Sequence, residues 1–238
     1  MSDVHFWFDP VCPFAWMTSK WVRMVAAQRE YDIQWRFVSL RLLNGHVDYD
    51  RHFPPEYEAG HTAGLKLLRV CAQAQADHGE QAVGRLYEVL GTRLWDTGRI
   101  STADLLQEDP HALLDPVLTE AGLPVSLGTA LDDSSWDVLI QQETDAALSL
   151  TGKDVGTPIL HFQPPEGVAF FGPVISRLPE PDRAVELWDH VVGLAAFPGF
   201  AELKRSLREL PQLAALGVSA GEAGKQEDWH GGSRRLKK

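Results

Sequence analysis

Apolar positions change period twice within the first forty residues. The run His5-Phe6-Trp7-Phe8 has the length and aromatic content of a buried strand. Asp9-Pro10 closes it, because proline cannot donate to a sheet ladder. From Pro13 onward, Trp16, Met17, Trp21, Val22, Met24 and Val25 recur at helical spacing, and proline is well tolerated in a first helical turn. The pattern predicts a helix starting at Pro13, with Cys12 as its N-cap. Ile33 to Leu40 then alternates and predicts a second strand, giving a compact strand-helix-strand unit.

Further along, Leu43 to Tyr57 is rich in Asn, Gly, Asp and Pro and is expected to be a loop. Glu58 to about Leu150 carries helical periods punctuated by Gly79, Pro110, Gly122 and Pro124, which predicts four to six helices with no internal repeat. Strand character returns at Thr157 to Phe162 and Val168 to Phe171, and Pro164-Pro165-Glu166-Gly167 between them predicts an antiparallel hairpin. An amphipathic helix follows over Asp182 to Ala196, and a further helix is expected over Phe200 to Leu210. The segment from Ser219 has little apolar content and is expected to be a mobile tail.

With 238 residues, 44% of them hydrophobic and eight of them tryptophan, the chain can build a core without disulfide staples. A net charge of -11 argues against nucleic acid as a partner, since phosphate binding needs a basic footprint. Acidic Met1-Ser2-Asp3 and the short apolar run after it are not expected to act as a secretory signal, and no run reaches membrane-span length. Two cysteines in such a chain fit a reducing cytoplasm, and a structural disulfide between Cys12 and Cys71 is not expected.

The candidate chemistry centres on Cys12. At a helix start, unpaired backbone N-H groups and the positive end of the dipole favour thiolate over thiol. The dipole supplies roughly 0.3 to 2 kcal/mol, or about one pKa unit, so direct N-H bonds must contribute the rest. His46, His52 and His61 are loosely spaced around a loop and predict no metal site, and His161 falls in a strand as a core or edge residue. No glycine-rich phosphate motif follows a strand, so no tightly bound cofactor is expected.

The motifs Phe6-Trp7-Phe8-Asp9-Pro10-Val11-Cys12-Pro13-Phe14-Ala15-Trp16, Asp154-Val155-Gly156-Thr157-Pro158 and Phe170-Phe171-Gly172-Pro173-Val174 resemble the DsbA-like thiol-disulfide oxidoreductases. Within that family the chain is most similar to the cytoplasmic actinobacterial branch of mycothiol-dependent reductases, nitroreductases included. The expected fold is α/β, a thioredoxin fold with a large all-helical insertion. Residues 1–42 and 151–215 would form the discontinuous thioredoxin domain, 43–150 the insertion and 219–238 the tail. The family motif is Cys-Pro-x-Cys, but here Ala15 stands at the second cysteine, as a natural variant or as an engineered trap. Cys12 then lacks a neighbouring thiol to expel a bound partner, which leaves a monothiol cycle open.

The resemblance also implies that Thr157-Pro158 is the family's cis-proline, set against the nucleophile, where Thr157 could pair with an extended substrate. Phe14, Trp16 and Trp7 could wall the thiol with aromatic surface, although core packing accounts equally well for Trp7 and Trp16; Phe14 is the stronger candidate for exposure. Asn44 and Tyr57 match positions near the cleft in similar reductases, and are otherwise a turn Asn and an ordinary loop Tyr. Pro13, Phe14, Ala15, Trp16, Asn44, Tyr57, Thr157 and Pro158 thus make up the expected binding set around catalytic Cys12. Cys71 is expected to be a small buried hydrophobe, the alternative being a distant resolving thiol.

The resemblance, with the lone thiol of the motif, implies an enzyme that uses mycothiol or glutathione as cosubstrate to reduce disulfides or small electrophiles such as nitro compounds, expected as a monomer or homodimer. Two alternatives stand beside it. One is an enzyme like the kappa-class glutathione transferases and 2-hydroxychromene-2-carboxylate isomerases, which share the architecture but usually place serine where Cys12 stands. The other is a redox-inactive binding protein.

Overall fold

The computed structural model describes residues 2–228 except Pro54, Glu108 and Ser206. The chain opens with β1 (Val4–Phe8), α1 (Pro13–Arg29) and β2 (Ile33–Phe37). The helices α2 (Leu40–Leu43), α3 (Tyr49–His52), α4 (Pro55–His78), α5 (Glu80–Gly91), α6 (Asp104–Gln107), α7 (Pro110–Glu120) and α8 (Asp137–Thr151) follow. A π-helical turn, Thr92–Asp96, continues α5. The chain then returns through β3 (Ile159–Phe162), β4 (Ala169–Phe171) and α9 (Ala184–Ala195), and closes with β5 (Leu207–Glu209) and β6 (Gln226–Asp228).

The main sheet has the order β2-β1-β3-β4. Strand β1 pairs parallel with β2, with Phe6 opposite Trp35, and antiparallel with β3, with Phe6 opposite Leu160. The parallel pair needs a crossover, and α1 provides it. Side chains alternate across β1, so its two faces have separate cores. Phe6 and Phe8 point toward α1, α4 and α5, where Phe8 stacks on Tyr87 at 3.7 Å between ring centroids. Trp7 points the other way, into a smaller cluster with Val38, Ala147 of α8 and Ile159. Over that face Arg36 forms a bidentate pair with Glu143, at 2.8 Å for both bonds, and lies 4.7 Å from the centroid of the Trp7 ring. Helix α9 closes the first face: the Trp21 indole donates to the Ala184 carbonyl at 2.9 Å and packs edge-on against Trp188. This is the thioredoxin arrangement, with the helices α2 to α8 inserted between β2 and β3.

Three stretches differ from the sequence reading. The expected loop over Leu43 to Tyr57 holds α3 and the start of α4, and α2 ends at Leu43. Ser39 and Asp48 cap the two short helices by accepting from Leu42 N and Arg51 N. The helix expected over Phe200 to Leu210 does not form. Phe200 packs on Phe170, but Leu203 is 81% exposed, and Leu207–Glu209 pairs as a strand instead. The stretch from Ser219, expected to be a mobile tail, contains that strand's partner. Leu207, Arg208 and Glu209 lie opposite Asp228, Glu227 and Gln226, and Gly224 is buried so tightly that a Cβ there would meet the Leu210 backbone.

Candidate active site

The polypeptide turns from β1 into α1 through Asp9, Pro10, Val11 and Cys12. Asp9 is completely buried and holds the turn from inside: its carboxylate accepts Val11 N-H at 3.1 Å and Leu40 N-H, at the start of α2, at 2.8 Å. Burial pushes the Asp9 carboxyl up to about 7, against those two N-H bonds. Helix α4 makes room for this carboxylate with Gly64, where a Cβ would lie 2.5 Å from Asp9 Oδ1 and 2.6 Å from Val11 Cγ2.

Cys12 caps α1 with extended backbone (φ -94°, ψ 109°), and Pro13 takes the first helical position. Its sulfur accepts the Ala15 N-H at 3.4 Å, and its thiol donates to the Thr157 carbonyl at 3.3 Å. Thr157 is fixed in turn by its hydroxyl, which donates to the Trp7 carbonyl at 3.1 Å, and the Thr157-Pro158 bond is cis. The Pro158 carbonyl accepts Gly172 N-H at 2.8 Å, which ties this loop to the end of β4. Helix start, cis-proline loop and thiol therefore lie together.

The ionisation of Cys12 differs from the sequence expectation. Cys12 is only 8% exposed, and burial pushes its thiol up to about 12. The Ala15 and Phe14 N-H groups pull it down and the Asp9 charge pushes it up. The helix-start donors are in place, but desolvation outweighs them, so the thiol is protonated at neutral pH in this closed arrangement. The same closure corrects the expected exposure of Phe14, which is buried.

Trp16 is a core residue. Its indole donates to Asp96 at 3.2 Å, its ring meets Tyr87 edge-on, and Lys20 completes the group with a 2.7 Å bond to the same carboxylate oxygen. Trp7 is likewise enclosed in the second core. Asn44 caps α2, donating its amide to the Leu40 carbonyl at 2.8 Å. Tyr57 stacks on Phe53 and packs against His61, which also meets the Tyr49 hydroxyl at 2.9 Å. Cys71 is fully enclosed in α4, and burial raises its thiol. Among the described residues, no group of three or more His, Cys, Asp or Glu is arranged to hold a metal, and no helix is long and apolar enough to cross a membrane.

Four residues that the sequence did not single out complete the surroundings. Trp95 donates to the Pro10 carbonyl at 2.9 Å, and Asp96 holds Trp16, so the π-helical turn grips the loop before Cys12 and the helix after it together. Tyr87, beneath Phe8, and Arg208, on β5, both interact electrostatically with Cys12. Only the π-turn residues had a sequence signal, as an aromatic-acidic pair at the end of a helical period.

A cysteine capping the first helix of a thioredoxin fold, beside a cis-proline loop, defines a thiol-dependent oxidoreductase of the DsbA-like kind. More narrowly, the family model described as Rv2466c-like, mycothiol-dependent nitroreductase Rv2466c, matches residues 11–205, and the chain belongs to that family. It is 32% identical over 208 residues to the uncharacterized protein Rv2286c of Mycobacterium tuberculosis, covering 86% of this chain and 82% of that one. Among solved structures, a 2-hydroxychromene-2-carboxylate isomerase is similar at 17% identity and TM-score 0.51, covering 80% of this chain and 95% of that one. A probable DsbA oxidoreductase from Streptomyces coelicolor is similar at 14% identity and TM-score 0.50, covering 90% and 98%. At such identities the two structures bear on the fold alone.

Proposed function

We propose that Cys12 is the nucleophile of a monothiol cycle that runs on a low-molecular-weight thiol, mycothiol or glutathione, and reduces disulfides or small electrophiles such as nitro compounds. The observation that carries this reading is the pairing of the Cys12 sulfur with Ala15 N-H and Thr157 C=O, at a helix start whose fourth motif position bears no thiol. Pro13, Phe14, Ala15, Thr157 and Pro158 are the residues a bound thiol meets once the site opens; Trp16 supports them from the core. A reducing cytoplasm suits the cycle.

For a mixed disulfide X-S-S-R, in which R-SH is the small thiol, the Cys12 thiolate attacks the R sulfur. The S-S bond breaks, its electron pair stays on the X sulfur, and X-S⁻ leaves as a thiolate that then takes up a proton. A second R-S⁻ attacks the Cys12-S-S-R bond, releasing R-S-S-R and regenerating the Cys12 thiolate. One disulfide is reduced and one small-thiol disulfide is formed. For a nitro group, the first two-electron step takes two electrons and two protons from two R-SH, giving the nitroso compound, one R-S-S-R and one water.

Burial bears on the first step, because the thiolate is the attacking form and the closed site disfavours it. Attack therefore follows a widening of the groove that hydrates the sulfur while Ala15 and Phe14 N-H remain on it. The test is intact mass of the full chain after incubation with mycothiol disulfide and with glutathione disulfide. One small-thiol adduct on Cys12, absent in Cys12→Ser, is expected; a wild-type chain that acquires neither adduct overturns the reading.

A further inference from the structure

The Thr157 carbonyl lies 3.3 Å from the Cys12 sulfur, and both residues are almost fully buried, at 4% and 8% exposed. Among the described residues, that carbonyl accepts from the Cys12 thiol alone. A buried backbone oxygen needs a donor, and a thiol is a weak one. The carbonyl has little freedom to turn toward another partner. Its residue is pinned by the Thr157 hydroxyl on the Trp7 carbonyl at 3.1 Å, and the next carbonyl, on Pro158, is held by Gly172 N-H at 2.8 Å. The same sulfur accepts Ala15 N-H at 3.4 Å, so it donates to one backbone group and accepts from another. Losing the thiol proton turns the S-H···O=C bond into a contact between a thiolate and the negative end of a fixed carbonyl dipole. Hydrogen bonding to the neutral form opposes ionisation, whereas Ala15 N-H favours it. A ligand N-H that takes the Thr157 oxygen removes the opposing bond and leaves the favourable one.

We propose that the Cys12 proton and an incoming amide N-H compete for the Thr157 carbonyl, so that docking of a thiol or disulfide with an N-H beside its sulfur is what releases Cys12 for attack. The inference rests on the reading of Cys12 as a monothiol nucleophile. It names the substrate class of that site: cysteine-derived thiols, in which an amide nitrogen sits two carbons from the sulfur, so that a sulfur in reach of Cys12 brings its N-H to the neighbouring carbonyl. The displaced proton passes to water in the opened groove, and the Cys12 sulfur keeps its electron pair for attack on the S-S bond. Such coupling is reciprocal: whatever factor the N-H contributes to ionisation, ionisation returns to binding of the N-H. Besides burial, the charges of Asp9 in the β1–α1 turn, Tyr87 on α5 and Arg208 on β5 act on the sulfur, and they are common to both ligands compared below.

The test is a cycle over protein and ligand, which isolates the pairwise competition from changes in volume. S-methylglutathione, which cannot react, and its N-methylcysteinyl analogue, which lacks the N-H, are titrated by calorimetry into the full chain and into Cys12→Ala, with folding checked by circular dichroism. Removing the thiol donor is expected to tighten S-methylglutathione relative to the N-methyl analogue by roughly two- to tenfold, the range of one net hydrogen bond. Wild type is also incubated with glutathione disulfide and with its N-methylcysteinyl form, and the second is expected to load Cys12 more slowly by a similar factor, read by intact mass. Cys12→Gly takes the place of the alanine variant if the latter does not fold, glycine being a good N-cap. Equal changes in affinity for the two ligands overturn the proposal, as do equal loading rates or a failure of S-methylglutathione to bind either protein. In each case an adduct on wild-type Cys12 leaves the monothiol reading standing, whereas a wild-type chain that forms no adduct removes that reading first.

Discussion

Cys12 and Thr157 stand 145 positions apart in the chain and meet at 3.3 Å, thiol to carbonyl. The contact joins the start of α1 to the strand that returns after the whole helical insertion. Thr157 is also held by its own hydroxyl on Trp7, so the acceptor facing the Cys12 thiol is positioned by β1 itself. Thiol and carbonyl satisfy one another here, so under the proposed function a substrate strand pairing with Thr157 would have to displace the thiol.

Replacing Ala15 with cysteine restores the second thiol of the motif. Ala15 is fully buried with its N-H on the Cys12 sulfur, and one helical turn of about 5.4 Å falls within the usual Cα separation of a disulfide. Mild oxidation of Ala15→Cys is expected to make Cys12 and the new thiol unreactive to maleimide and to introduce dithiol reduction of insulin. Two thiols that stay labelled after oxidation would contradict this geometry.

Cys71 is enclosed in α4 among core side chains. Cys71→Ala is expected to lower unfolding stability by about 1 kcal/mol and to leave uptake of one small thiol on Cys12 unchanged. Loss of that adduct, or a Cys12–Cys71 bond found by peptide mapping of the oxidised wild type, would instead make Cys71 a resolving thiol.

Acid sensitivity separates Asp9 from the buried histidines. The Asp9 carboxyl titrates higher in the folded chain than in the unfolded one, so its contribution is fully present below about pH 4 and is lost as pH rises toward 7. His5 and His61 are lowered to about 4 by burial, so the unfolded chain takes up their protons first and stability falls as pH drops from about 6.5 to 4. The two effects oppose one another over that window. Removing the Asp9 titration with Asp9→Asn is therefore expected to steepen the loss of stability on acidification, as read by urea unfolding at several pH values. An unchanged slope would mean that Asp9 ionises normally.

Glu143 of α8 holds Arg36 of β2 in a bidentate pair that is largely shielded from water, with side-chain exposures of 16% and 22%. Glu143→Ala strands the guanidinium above Trp7 and is expected to cost about 1–3 kcal/mol in urea unfolding. A loss under 0.5 kcal/mol, roughly the range for surface changes, would show that solvent replaces the carboxylate.

Local signals carried much of the fold. The Asp9-Pro10 stop, the helical spacing from Trp16 to Val25 and the Pro164-Pro165-Glu166-Gly167 turn are short-range features, and β1, α1 and the β3–β4 hairpin lie where they place them. The N-cap role of Cys12 was legible for the same reason. Its burial was not, because its surroundings assemble only in the folded chain: Thr157, 145 positions away, meets the sulfur at 3.3 Å. The β5–β6 ribbon escaped notice because strands of three residues, here Leu-Arg-Glu and Gln-Glu-Asp, show no apolar alternation. Asn44 and Tyr57 came from family resemblance, while the local chemistry of a cap and an aromatic stack accounts for their contacts.

The bare backbone of α4 at Gly64 has a mechanical consequence. A side chain at position 64 would have to displace Asp9 and Val11, so any bulk added to this face of α4 is relayed directly into the turn that presents Cys12.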